Sequence, residues 1–143
     1  MATFFIIIAI IISSIQEQRP GNSHDGRRAA DIQQISTGLE LYHQAHKEHP
    51  PVEPGCQNTD VLGDYFVPNW TPQIPQERFI SDGHPPYQFA ISLDGNSFVV
   101  KATFYEQRSK FDQRLLDEDL DGNILGCNCD DPNYCVGSTN LAN

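Results

Sequence analysis

The first fifteen residues, MATFFIIIAIIISSI, constrain this chain more than any other stretch: they hold an unbroken apolar run from Phe4 to Ile12, and no charge precedes Glu17. A helix that is apolar on every side must be surrounded by lipid or by other apolar helices. Phe4, Phe5, Ile6, Ile7, Ile8, Ile10, Ile11, Ile12 and Ile15 are the side chains that such packing would bury. A helix of about 15 residues reaches roughly 22 Å, short of the roughly 30 Å of a hydrocarbon core, so the segment is a poor membrane span by itself. Isoleucine is a mediocre helix former, and the helix would draw its stability from burial. A secretory signal would carry a basic start and a small-residue cleavage site, and neither is present. A remnant signal or a buried strand are the plainer alternatives, although the run is longer than an ordinary strand. Pro20-Gly21 removes a backbone donor and a rotational restraint, so the rod should end there. Residues 1–19 are therefore expected to be an assembly or membrane helix, and 20–143 a separately oriented head.

From Arg27 the apolar period becomes helical. Ile32, Ile35, Leu39 and Tyr42 form a stripe that Ala29 and Ala45 extend, while Asp31, Gln33, Gln34, Glu40, Gln44 and Lys47 take the other faces. This predicts an amphipathic helix over about 25–48, capped by Asp25 and stopped by Pro50-Pro51. Residues 50–86 are rich in proline and read as a long irregular loop pinned by Val61, Leu62, Tyr65, Phe66, Trp70, Ile74 and Phe79. Two alternating stretches, 87–93 and 97–104, flank Asp94-Gly95-Asn96 and predict a hairpin over 87–104. A third short strand is expected near Asn123 to Leu125. The expected class is α+β: a helix packed on a small antiparallel sheet, with a cysteine-tied tail over 112–143.

A formal charge of -10 with nine Lys and Arg in 143 residues argues against nucleic acid as the main partner, since phosphate contacts need clustered cations. The negative charge concentrates late: Asp112, Asp117, Glu118, Asp119, Asp121, Asp130 and Asp131 stand with a single cation, Arg114. Within that segment, Asp117 to Ile124 follows the first half of a calcium loop, with alternating carboxylates at Asp117, Asp119 and Asp121, then Gly122 for the turn and Asn123 for a carbonyl ligand. Asn128 stands where the loop's terminal glutamate belongs, so Asp130 or Asp131 would have to close the shell. The competing reading is an acidic turn left in water. Cys56, Cys127, Cys129 and Cys135 suggest a disulfide frame in an oxidising compartment. We prefer Cys129 with Cys135 and Cys56 with Cys127, because that ties the long loop to the tail; sequence alone allows three connectivities. Zinc is the rival use, but Cys127-Asn-Cys129 is closer than the usual pair of ligands.

His43, His46 and His49 recur every third residue, a spacing at which two could share a metal; spacing alone is weak, and they are read as solvated side chains near a helix C-terminus, where positive charge is favoured. Arg27-Arg28 reads as a solvated or interface pair. No nucleophile elbow, His-Glu-x-x-His pair or phosphate loop is present, and nothing argues for catalysis.

The order of these pieces resembles the type IV pilin and pseudopilin family. The likeness rests on FFIIIAII ending at a proline, on RRAADIQQISTGLELYHQAHKEHPP, and on the stretch from Tyr65 to Pro75; the hairpin and the YCVG near Cys135 add to it. Together these cover nearly the whole chain. The resemblance implies a membrane-delivered precursor cut and methylated by a prepilin peptidase. Inner-membrane pilus assembly machinery would then stack it with copies of itself into an extracellular helical filament. The early acidic residue of the family is absent, with Thr3 nearest its place, so register would rest on side-chain packing and on the heads. A major filament subunit for adhesion, motility or attachment is the leading reading. A type II secretion pseudopilin and a monomeric membrane-anchored calcium-binding module are the alternatives.

Overall fold

A computed structural model describes residues 23–107 and 110–141. The expected apolar helix over 1–19 and its break at Pro20-Gly21 lie outside the described residues. Among those residues, no helix is long and apolar enough to cross a membrane.

The long helix α1 spans His24–His46. Its cap is Ser23, whose Oγ accepts from the Gly26 N–H at 2.9 Å, and not Asp25 as the spacing predicts. It ends when Lys47 turns left-handed, with φ 68°, and its N–H bonds the His43 carbonyl at 2.7 Å. This left-handed cap stops the helix before the prolines are reached. A sheet of four antiparallel strands lies against it in the order β1 (Gln57–Asn58), β2 (Gln88–Ile91), β3 (Phe98–Thr103) and β6 (Asn133–Gly137). The predicted hairpin is present, with Phe89 opposite Val100 and Ile91 opposite Phe98. The strand expected near Asn123 is β4 (Asn123–Ile124), which pairs with β5 (Cys127–Asn128) in a second small sheet. Two further helices complete the α+β body, α2 (Gly63–Phe66) and α3 (Lys110–Asp117).

Period-two alternation sends the sheet's side chains to two different cores. Phe89, Ile91, Phe98, Val100, Ala102 and Phe104 meet Ile32, Ile35 and Leu39 of α1 in the larger one. Ala90 and Val99 point the other way, onto Cys127, Cys129 and Cys135, with Leu120, Ile124, Leu125 and Leu141 around them. The sheet is thus the middle of three layers. Each fully buried aliphatic or aromatic side chain contributes roughly 1.5–3 kcal/mol through loss of water contact.

The segment 50–86 is anchored by Leu62, Phe66 and Ile74, all buried, but Val61 is 40% exposed and is not an anchor. Phe66 lies so close to α1 that a Cβ on Gly38 would stand 2.7 Å from its ring. Only glycine permits that approach, and it lets the loop seat directly on the helix.

Candidate functional site

The acidic segment curls between the end of α3 and β4. Gly122 makes the turn at φ 86°, and its carbonyl accepts the Cys129 N–H at 2.7 Å, which draws the tail back over the loop. As a result Asp119, Asp121 and Asp131 each offer a carboxylate oxygen within 4.8 Å of the others. Asp131, not Asp130, joins the two expected carboxylates. Asp130 Oδ1 instead accepts from the Gly122 N–H at 2.9 Å, and Asn123 Oδ1 accepts from the Gly126 N–H at 3.1 Å, so both brace the loop. Asp117 is the last residue of α3 and is exposed, outside the converging group.

Asp119 is the residue at stake. Its Oδ2 accepts the Cys135 N–H at 2.6 Å, while its Oδ1 is shut off from solvent with no hydrogen-bond partner among the described residues. Burial, opposed by that N–H and aided by the charges of Asp121 and Asp131, pushes its carboxyl up to about 7. A divalent cation would reverse both difficulties, supplying the missing partner and offsetting the repulsion. The donor set is all oxygen, which suits a hard cation and not a soft metal.

The disulfides fix this geometry. Cys129 pairs with Cys135 and Cys56 with Cys127, the preferred connectivity. Asp131 sits inside the small loop closed by the first pair, and Cys135 carries the N–H that holds Asp119. No free cysteine remains for zinc.

A second polar centre went unread in the sequence. Arg28 is 2% exposed, so it is not a solvated cation. Its guanidinium donates to Asp25 at 2.7 Å, to Glu77 at 2.7 Å and 3.3 Å, and meets His84 Nδ1 at 2.9 Å. Burial works against the Arg28 charge, but the hydrogen bonds to Glu77 and Asp25 outweigh it and hold the group above its ordinary range. Asp25, fully buried, also accepts the N–H groups of Tyr105, Glu106 and Gln107 at 3.0, 2.7 and 2.7 Å. Arg27 keeps a half-exposed side chain, 3.5 Å from Asp31. Asp31, expected on the polar face, is buried and accepts from the Tyr87 hydroxyl at 2.8 Å. The network ties the start of α1 to two loops.

The outward face of α1 is the third feature. Ala30, Gln33, Gln34, Thr37, Leu41, Gln44 and Ala45 are its exposed positions from 30 to 45, and none is charged. Beside them a groove of about 190 Å³ opens between α1 and the loop that carries Phe66, Trp70 and Ile74.

No family model, curated protein or solved structure matches this chain.

Proposed function

We propose that this chain is the structural subunit of a type IV pilin-like filament, displayed at the cell surface and used for adhesion, motility or attachment, without catalysis. It is inserted in the membrane through residues 1–19, processed by a prepilin peptidase and polymerised by inner-membrane assembly machinery. In this reading the apolar run from Phe4 to Ile12 belongs to an assembly helix that would stop at Pro20-Gly21 and pack among its copies, with the α+β head outside.

The observation that carries the reading is the uncharged outer face of α1. Charged residues make up 20% of the chain, yet none of the exposed positions from 30 to 45 carries a charge. At the rise of an α-helix such a face is about 22 Å long, and its lack of charge spares a neighbouring copy the cost of desolvating ions. Its amide and hydroxyl side chains at Gln33, Gln34, Thr37 and Gln44 can hydrogen-bond a neighbouring copy. Contacts between subunits that do not close on themselves generate a fibre. The test is to produce the full chain beside a type IV assembly system, shear the cells and image the particles. Long fibres with heads in contact and N-terminal segments at the axis are expected, and residues 4–15 are needed for them. Undiminished fibres from a chain lacking 4–15 defeat the reading. Fibres confined to short periplasmic stubs shift it to a type II secretion pseudopilin, and a detergent-soluble monomer at high concentration to a membrane-anchored calcium-binding module.

Asp119, Asp121 and Asp131 are proposed to hold Ca²⁺, which would lock the tail to the sheet and neutralise the acidic cluster. Its duty is structural. At a free Ca²⁺ concentration about 100 times Kd the head gains about 2.7 kcal/mol, a rise in Tm of roughly 8 °C at pH 8. Protons compete for Asp119, whose carboxyl is raised to about 7. The rise in Tm therefore shrinks as pH falls through that value. Asp121→Asn removes most of it. An unchanged Tm on adding chelator at pH 8, together with no calorimetric heat of Ca²⁺ binding, removes the calcium assignment and leaves the filament reading untouched.

A further inference from the structure

Of the asparagines in this chain, only Asn69 is followed two residues on by serine or threonine, in Asn69-Trp70-Thr71. That spacing is the acceptor sequence for an N-linked sugar. It falls on a turn directly after α2, where the N–H groups of Trp70 and Thr71 both bond the Phe66 carbonyl, at 2.8 and 3.4 Å. The Thr71 hydroxyl holds the turn to α1: it donates to the Gln73 carbonyl at 2.7 Å and accepts from Gln34 Nε2 at 3.3 Å. Asn69 itself is exposed, and no hydrogen bond engages its amide among the described residues. Its Nδ2 can therefore carry a substituent without breaking a contact of the fold.

The same turn forms one wall of the groove of about 190 Å³ beside α1. Trp70 lines that groove from the loop, and Gln34 and Thr37 line it from the helix. The mixture suits a sugar ring: an aromatic side chain for its C–H face, amide and hydroxyl groups for its hydroxyls, and no charge. We propose that Asn69 carries an N-linked glycan whose first sugar lies in this groove, between Trp70 and the loop-side edge of α1. The donor is a lipid-linked oligosaccharide. Transfer forms a bond from Asn69 Nδ2 to C1 of the sugar and breaks the C1–O bond to the lipid phosphate, which departs with the electron pair as Nδ2 gives up a proton. The oxidising compartment that the two disulfides require is one in which such acceptor sequences are used. Because the Thr71 hydroxyl is engaged once the loop rests on α1, the transferase reads the sequence before that contact closes. A helix turns about 100° per residue, so Gln33 and Gln44 lie farther round, away from the groove, and remain open to a neighbouring copy. The proposal stands apart from the filament reading.

The test is peptide mapping by mass spectrometry of the full chain, purified from the cells that natively make it. A glycosyl mass on the peptide that contains Asn69 is expected. Asn69→Gln and Thr71→Ala lose it entirely, whereas Thr71→Ser, which keeps a hydroxyl, retains it. Trp70 is the one tryptophan in the chain, so its fluorescence reports on the groove. Iodide should quench that fluorescence less in the glycosylated parent than in Asn69→Gln, a change at an exposed side chain that leaves the fold intact. An unmodified Asn69 in the native protein overturns the proposal, as does a sugar that persists in Asn69→Gln. Equal quenching in the two proteins overturns the seat in the groove.

Discussion

The Asp25→Ala protein is expected to unfold at far lower urea than its parent, with about 3–5 kcal/mol of stability lost. Three causes act together. The substitution leaves Arg28, 2% exposed, with Glu77 as its one remaining carboxylate partner, beside His84 and the rings of Phe79 and Tyr105. It also strips an acceptor from the N–H groups of Tyr105, Glu106 and Gln107, each bonded to Asp25 at 3.0 Å or less. Finally it loosens the chain after β3 from the start of α1, leaving the bonds from Ser23 Oγ to Asp112 at 3.2 Å and from the His24 N–H to Glu106 at 3.4 Å. A domain of ordinary stability has about 5–15 kcal/mol to lose, so the loss is a large share of the whole. Asp25→Asn tests the cause. It keeps one acceptor oxygen but no charge, and a smaller loss than for alanine is expected. Equal loss in the two variants, read by urea titration of Trp70 fluorescence, would mean that charge alone matters; no loss in either would refute the network's role.

The elements whose signal is local were legible in the residues. Period-two alternation around Asp94-Gly95-Asn96 located the hairpin, and the stripe of Ile32, Ile35 and Leu39 located the helix and its buried face. The Arg28 network was not, because Asp25, Glu77, His84 and the backbone at 105–107 come together only when the chain folds; in sequence, Arg27 and Arg28 look alike. His49 misled for a similar reason. Its burial depends on Gly95 and Phe98, which are remote in sequence, and not on its position after a helix. Helix α3 had a signal that went unused: Phe111, Leu115 and Leu116 fall at helical spacing. Leu116 is buried, but the acidic composition drew attention instead to ligands. In the acidic loop the alternating Asp119 and Asp121 do converge and Asp117 does not, whereas the third carboxylate depended on how the tail returns. Gly122 and Cys129 decide that return through one hydrogen bond, which no spacing rule encodes.

Removing the two disulfides one at a time is expected to separate stability from ion binding. Cys56 and Cys127 are separated by 71 in sequence, against 6 for Cys129 and Cys135. In the chain-entropy account, closing the longer loop is worth about 4 kcal/mol and closing the shorter one about 2 kcal/mol. The paired substitution Cys56→Ser with Cys127→Ser therefore lowers the urea midpoint more. It also unties Gly126 from the backbone of Gly55 and Cys56, which lies so near that a Cβ on Gly126 would stand 3.5 Å from the Gly55 Cα. The carboxylates respond in the opposite order. Asp131 lies within the small loop and Cys135 supplies the N–H at 2.6 Å from Asp119, so Cys129→Ser with Cys135→Ser loosens the distance between those two carboxylates directly. Calorimetric Ca²⁺ affinity should fall at least about tenfold in this variant, as it does when groups that orient metal ligands are lost. In the long-loop variant, measured where it is still folded, affinity changes little. Should both variants lose stability and affinity in the same proportion, the small disulfide has no orienting role, and the converging carboxylates owe their placement to the sheet alone.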